Sequence, residues 1–185
     1  TKKMLSYLDK HKDIFLEMIA KGIALPIYQI PTCQYSIYIT TEKDVNIPED
    51  WEQVYLYKDW FLTIGTDDKL CFSSFEFFEE HHDLITKSQC AFMGEVFDIN
   101  DNPHSFYHSD EIQMPKGNYR FDVYGLKRKH PYSEIDRENG NKNYAYLFAF
   151  RKVDNDSNEN LERCDNDTHF FSIEEYWEEV HNNER

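Results

Sequence analysis

The sequence predicts a mainly β protein: an antiparallel β-sandwich with an N-terminal and a C-terminal helix. Three observations predict it. Tyr119, Phe121 and Val123 alternate with Arg120, Asp122 and Tyr124, and Tyr144, Tyr146, Phe148 and Phe150 repeat the alternation. A period of two places each apolar set on one face of a sheet. Aromatic residues make up 16% of the chain, and their side chains suit the pleated, half-buried surface of strands. The elements also come as a helix, then strands at short spacing, then a helix, which favours strand-on-strand pairing over a βαβ succession.

Taken in order, residues 4–21 have helical spacing. Leu5, Leu8, Phe15 and Ile19 form a stripe, with Lys10, Lys12, Asp13 and Glu17 off it. Gly22 stands where a left-handed residue ends a helix. Pro26 and Pro31 bracket an extended segment, and 35–40 is a strand with Tyr35, Ile37 and Ile39 on one face. Residues 42–52 are polar, contain Pro48 and form a loop. Val54–Tyr57 is a short strand. Residues 59–65 form another, with Trp60, Leu62 and Ile64 alternating, and 66–69 is a turn. Residues 70–75 return as the partner, so 60–75 is expected as a hairpin.

Residues 75–87 fit either a helix or an irregular acidic crossover. Cys90–Ile99 is a strand, and 104–114 leads into the next pair of strands. In Pro115-Lys116-Gly117-Asn118 the proline fixes φ and the glycine supplies a positive φ. Residues 112–126 thus form two short strands about this turn, and 144–153 is a candidate pairing partner. Lys127-Arg128-Lys129 is an ordinary basic turn, balancing local acids.

The domain division follows composition. Residues 1–153 hold the N-terminal helix and the sandwich, 154–167 an acidic linker, and 168–185 a C-terminal helix docked on the same domain. The linker has six acids, one Arg and four Asn, a composition that does not bury a core. Ser172 and Glu175 form a capping box for the last helix, with Phe171 against Tyr176 as a hydrophobic staple. From 154 to 185 there are 11 acids against two arginines, so −9 of the net charge of −15 lies there. A chain this acidic is unsuited to nucleic acid or an anionic membrane, whose binding needs Lys and Arg. It suits a basic protein partner.

No motif supplies chemistry. Cys33, Cys71, Cys90 and Cys164 have no paired spacing, so neither a zinc ribbon nor a redox motif is expected. Scattered cysteines, no signal-peptide pattern and no long apolar run predict a cytoplasmic protein. His104 and His108 lack a marked third ligand, and His81-His82 beside Glu79, Glu80 and Asp83 is not a His-Glu-x-x-His motif. Asp154, Asp156, Asn158, Asn160 and Asp165 match calcium-loop positions, but Glu159 stands where the loop needs glycine, so a solvated linker is the reading. No metal and no cofactor are expected. With six glycines and no phosphate loop or nucleophile elbow, no nucleotide site or hydrolase triad is marked. An enzyme whose site is assembled from scattered His and carboxylates, or a β-rich adaptor, stay as alternatives.

Residues 60–152 carry a resemblance. The hairpin DWFLTIGTDDKLCFSSFE, the strand AFMGEVFDI, the segment EIQMPKGNYRFDVYG and the strand YAYLFAF follow one another. This order, with the Pro115-x-Gly117-x-Tyr119 turn, resembles the bacterial competence-associated nuclease inhibitors and related β-sandwich immunity proteins. The resemblance implies a non-enzymatic protein that binds and silences a nuclease or toxin. The acidic clusters expected to meet it are Glu76, Glu79, Glu80 and Asp83, and Glu174, Glu175, Glu178 and Glu179.

Overall fold

A computed structural model describes residues 10–25, 35–74, 91–97, 100–133, 142–154 and 171–173, with positions 7, 27, 77 and 87 besides. The fold is mainly β. Its elements are α1 (Lys12–Ala20), β1 (Tyr35–Thr40), β2 (Trp51–Ile64), β3 (Lys69–Ser73), β4 (Phe92–Phe97), β5 (Pro103–Gln113), β6 (Gly117–Arg128) and β7 (Tyr144–Val153). One sheet has the order β1-β7-β6-β2 and the other β3-β5-β4.

The alternating strands sit at the centre. β6 and β7 pair antiparallel, with Phe121 opposite Phe150 and Val123 opposite Phe148. Tyr119, Phe121, Val123, Tyr146, Phe148 and Phe150 bury on one face with Trp60, Leu62 and Ile64 of β2. β7 is buried on both faces. Ala145, Leu147 and Ala149 join Trp51 and Leu126 in a second cluster behind the sheet. That double burial accompanies a neighbour on each side.

Four expectations need correction. The four-stranded sheet is mixed, because β1 runs parallel to β7, with Tyr35 beside Tyr144 and Ile39 beside Phe148. Side chains alternate identically in both strand directions, so the pattern that finds β1 is silent on its direction. Residues 60–75 are not a hairpin. β2 pairs with β6 and β3 pairs with β5. Val54–Tyr57 and the strand after it are one 14-residue strand, interrupted by a register shift where Asp59 takes φ 65. The lead-in at 104–114 is β5, the central strand of the second sheet.

The geometry behind the hairpin correction is a bent ribbon. β2 runs into β3 through Gly65–Asp68, and β5 runs into β6 through Met114–Lys116, so one antiparallel pair passes from sheet to sheet. Asp68 staples the two corners: its carbonyl accepts the Met114 N–H at 2.8 Å and its carboxylate accepts the Lys116 N–H. The Tyr119 hydroxyl closes the second corner on the Pro115 carbonyl at 2.7 Å. Leu70 and Met114 fill the inside of the bend, and Phe72 packs on Phe148 at 5.3 Å, so both sheets share the main core.

α1 lays Leu16, Met18 and Ile19 on this core. It ends in a Schellman pattern: Gly22 N–H bonds Ile19 O at 2.9 Å, and Ile23 N–H bonds Met18 O at 3.0 Å. Gly22 has φ +64, and its carbonyl accepts Thr63 N–H from β2. Most of the expected helical span before Lys12 lies outside the described residues. So does the span beyond Ile173 expected as a C-terminal helix. Phe171 and Ile173 are buried in the main core, and the hydroxyls of Tyr55 and Tyr146 both donate to the Phe171 carbonyl, at 2.8 and 2.9 Å.

Candidate functional site

The eight carboxylates expected to form the partner surface, Glu76, Glu79, Glu80, Asp83, Glu174, Glu175, Glu178 and Glu179, lie outside the described residues, as does the calcium-like stretch after Asp154. Near the first cluster, Ser74 Oγ accepts the Phe77 N–H at 3.1 Å, the geometry of a helix N-cap. Phe77 is buried and its ring lies 5.1 Å from that of Phe92.

Within the described residues, acidic side chains line the connection from β1 to β2, which crosses the rear face of the four-stranded sheet from the Thr40 end of β1 to the Trp51 end of β2. Between Glu42 and Glu52 there are five acids, Glu42, Asp44, Glu49, Asp50 and Glu52, and one lysine. Two apolar side chains hold the connection down. Val45 and Ile47 pack against Trp51, Leu126, Ala145, Leu147 and Ala149 on the rear face of the sheet. Thr40 Oγ1 accepts Glu42 N–H at 3.1 Å at one end, and Pro48 O accepts Trp51 N–H at 2.9 Å at the other. The acids are therefore carried on a braced loop, whose anchoring side chains point the carboxylates outward.

An aromatic clamp fixes the loop's far end. The Arg128 guanidinium lies 4.7 Å from the Trp51 ring and 4.7 Å from the Tyr132 ring, within cation–π range of both. It reaches Asp50 at 3.4 Å and donates through Nε to Lys142 O at 3.2 Å. Trp51 Nε1 donates to the Tyr38 hydroxyl at 3.1 Å, and Lys129 N–H bonds Asp50 O at 2.9 Å. Buried Asn143 exchanges hydrogen bonds with both backbone groups of Tyr132, at 2.7 and 3.1 Å. In this way Arg128 is spent on structure, while Lys127 faces Glu52 across the β2–β6 pair.

The carboxylates then divide into two kinds. Asp59 and Asp122 share Arg151, Glu111 meets Lys69 at 2.6 Å, Glu17 meets Lys21, and Asp50 meets Arg128. Glu42, Asp44, Glu49 and Glu52 are exposed and have no ion-pair partner among the described residues. Their signal in the sequence is the five-to-one ratio of acid to base together with two aliphatic residues inside a polar stretch. Polarity alone marks the stretch as a loop, without its brace.

His104, His108 and Cys71 lie on strands of the second sheet. His108 is half-buried with its ring 5.8 Å from Phe92, and His104 pairs with Val96 in the strand register. Among the described residues no group of three His, Cys, Asp or Glu could hold a metal ion. Cys71, the one cysteine described, is a thiol 3.7 Å from Ser109 Oγ. Burial and the neighbouring Tyr146 and Tyr57 push the Tyr55 hydroxyl far above its ordinary value. It is a locked hydrogen-bond donor. No described helix is long and apolar enough to cross a membrane.

The chain matches no protein-family model, no curated protein and no solved structure.

Proposed function

We propose that this chain is a non-enzymatic acidic binding protein that seats against a basic protein domain, such as a nuclease toxin, and inhibits it. The observation that carries the reading is the braced loop with its four exposed carboxylates, Glu42, Asp44, Glu49 and Glu52, none of which has an ion-pair partner among the described residues. A nuclease holds phosphate with Lys and Arg, so its cleft is a positive target. Opposite potentials steer two such surfaces together. A loop already fixed by Val45, Ile47 and Trp51 loses little conformational freedom on binding. The resemblance of residues 60–152 to nuclease inhibitors and immunity proteins points the same way. Under this reading Glu76, Glu79, Glu80, Asp83, Glu174, Glu175, Glu178 and Glu179 extend the acidic surface, and the protein works in the cytoplasm.

The test is capture of a partner from the native lysate by the wild-type chain and by a Glu42→Gln, Asp44→Asn, Glu49→Gln, Glu52→Gln variant. The wild type recovers a basic protein, and the variant associates roughly 10- to 100-fold more slowly at low salt. Titrating the recovered partner's own activity with the chain abolishes it at equimolar ratio. Equal recovery of the same partner by both proteins, or a partner of acidic character, overturns the proposal.

A further inference from the structure

The two sheets present four edge strands, β1 and β2 in one and β3 and β4 in the other. Natural sheets guard their edges with charge, proline, bulges or short length, because an open edge is a template for another strand. Three edges here are guarded. β2 gives Thr63 N–H to Gly22 and is bent by the register shift at Asp59. β3 has five residues and carries Lys69, paired with Glu111. β4 carries Glu95, with a register shift between Phe92 and Met93.

β1 is different. Its six residues, Tyr-Ser-Ile-Tyr-Ile-Thr, include no charge, proline or glycine, and its register with β7 is unbroken. Ile37 is 44% exposed. Alternate residues of an edge strand turn their N–H and C=O away from the neighbour. Among the described residues no backbone hydrogen bond reaches positions 36–40 except from β7. Glu42 and Asp44 follow directly, where Thr40 Oγ1 accepts the Glu42 N–H and the chain turns toward the rear face of the sheet.

We infer that the outer edge of β1 accepts an extended, basic segment of the partner protein as an added strand. The backbone ladder supplies attachment, Ile37 an apolar contact, and Glu42 and Asp44 receive lysines or arginines beyond the end of β1. Charge chooses the occupant, because the open edge ends beside Glu42 and Asp44, which are exposed and have no ion-pair partner among the described residues. This inference rests on the acidic-binder reading and names its mode of contact.

Amide hydrogen exchange of the full chain tests it, with an alternating Lys-Val-Lys-Thr-Lys-Val peptide as the probe. At about 1 mM peptide and low salt, amides within 36–40 slow roughly tenfold. The slowing disappears at about 0.5 M salt, in the Glu42→Gln, Asp44→Asn variant, and in Ile37→Lys, which places a guard charge at an exposed position. Three results overturn the inference. One is no slowing with peptide. Another is full protection of these amides in the peptide-free chain at every concentration, which means its own residues cover the edge. The third is protection that grows with protein concentration alone, which assigns the edge to a second copy. If a captured basic partner needs the four loop carboxylates yet leaves 36–40 unprotected, the binding function stands and strand addition fails.

Discussion

Gly125 faces Tyr55 across β2 and β6, and the tyrosine ring lies over the space a side chain would fill. A Cβ at 125 would sit inside the contact distance of the ring's Cε1 and Cζ. Gly125→Ala must therefore push the ring off its place, at a cost of about 1–3 kcal/mol. Gly65→Ala, whose nearest neighbour is a movable Asp67 oxygen at 3.3 Å, stays within about 0.5 kcal/mol. Urea midpoints of the two variants check this; equal midpoints would sink it. The same tyrosine sets a pH dependence. Its hydroxyl is raised above the ordinary value, first by burial and then by Tyr146 and Tyr57. In the unfolded chain it ionises near pH ~10, so above that pH the unfolded state binds fewer protons and stability falls as pH rises. The stabilisation is complete below about pH 10 and is lost above it. Tyr55→Phe is about 1 kcal/mol weaker at neutral pH, having lost the bond to Phe171 O. Its melting temperature declines less between about pH 9.5 and 11 than that of the wild type. Parallel melting curves against pH would refute this.

At the scale of elements, the bent ribbon depends on its corners. Asp68 sits at φ 55 while its carbonyl and carboxylate bond Met114 and Lys116. Asp68→Ala both strains the left-handed backbone and strips the Lys116 N–H of its acceptor, for about 1–3 kcal/mol. Asp68→Asn keeps an acceptor and tolerates the conformation, so it loses less than half as much in chemical denaturation; equal losses would show that the corner bond is idle. At the end of α1, an alanine Cβ at Gly22 would meet Phe61 Cδ1 at 2.8 Å and the backbone of Leu62 and Thr63 at 2.9 Å. The helix end is thus set by close approach to β2 as well as by φ. These contacts explain what the sequence could and could not disclose. Alternation at Tyr119–Val123 and Tyr144–Phe150 marks both strands and the face they bury, because side-chain period is local. Turn chemistry at 65–68 marks a turn equally well. Whether a turn returns the chain to the same sheet or sends it to another depends on partners such as Met114 and Lys116, more than 40 residues away. β5 is masked in the sequence because His104, Ser105, His108, Ser109 and Asp110 blur its alternation. The acidic loop was legible as polar, but its rigidity comes from Val45 and Ile47 meeting residues of β6 and β7, and spacing does not show that.

For the whole molecule the governing quantity is net charge. At −15 the compact state repels itself, while the ion pairs that oppose this are few among the described residues. Glu17–Lys21 is 60% exposed at both ends and Arg151 is 46% exposed, so each is worth at most about 1 kcal/mol and weakens with salt. Lys69–Glu111, 24% and 21% exposed, is better shielded. Raising ionic strength from about 0.01 to 0.15 M shortens the screening length from about 30 Å to about 8 Å. Long-range repulsion among many carboxylates is screened more than contacts at 2.6–3.4 Å, so salt raises the melting temperature. The four-carboxylate variant, Glu42→Gln, Asp44→Asn, Glu49→Gln and Glu52→Gln, carries −15 + 4 = −11. None of the four sites has an ion-pair partner among the described residues, so their neutralisation removes repulsion and leaves the described pairs intact. The variant therefore melts higher than the wild type at low salt, and the gap closes as salt is added. A wild type that melts lower in salt, or a variant less stable at low ionic strength, would show that these carboxylates serve the fold. The opposite outcome, a loop that destabilises its own chain until the charge is met, is what a surface kept for an oppositely charged partner requires.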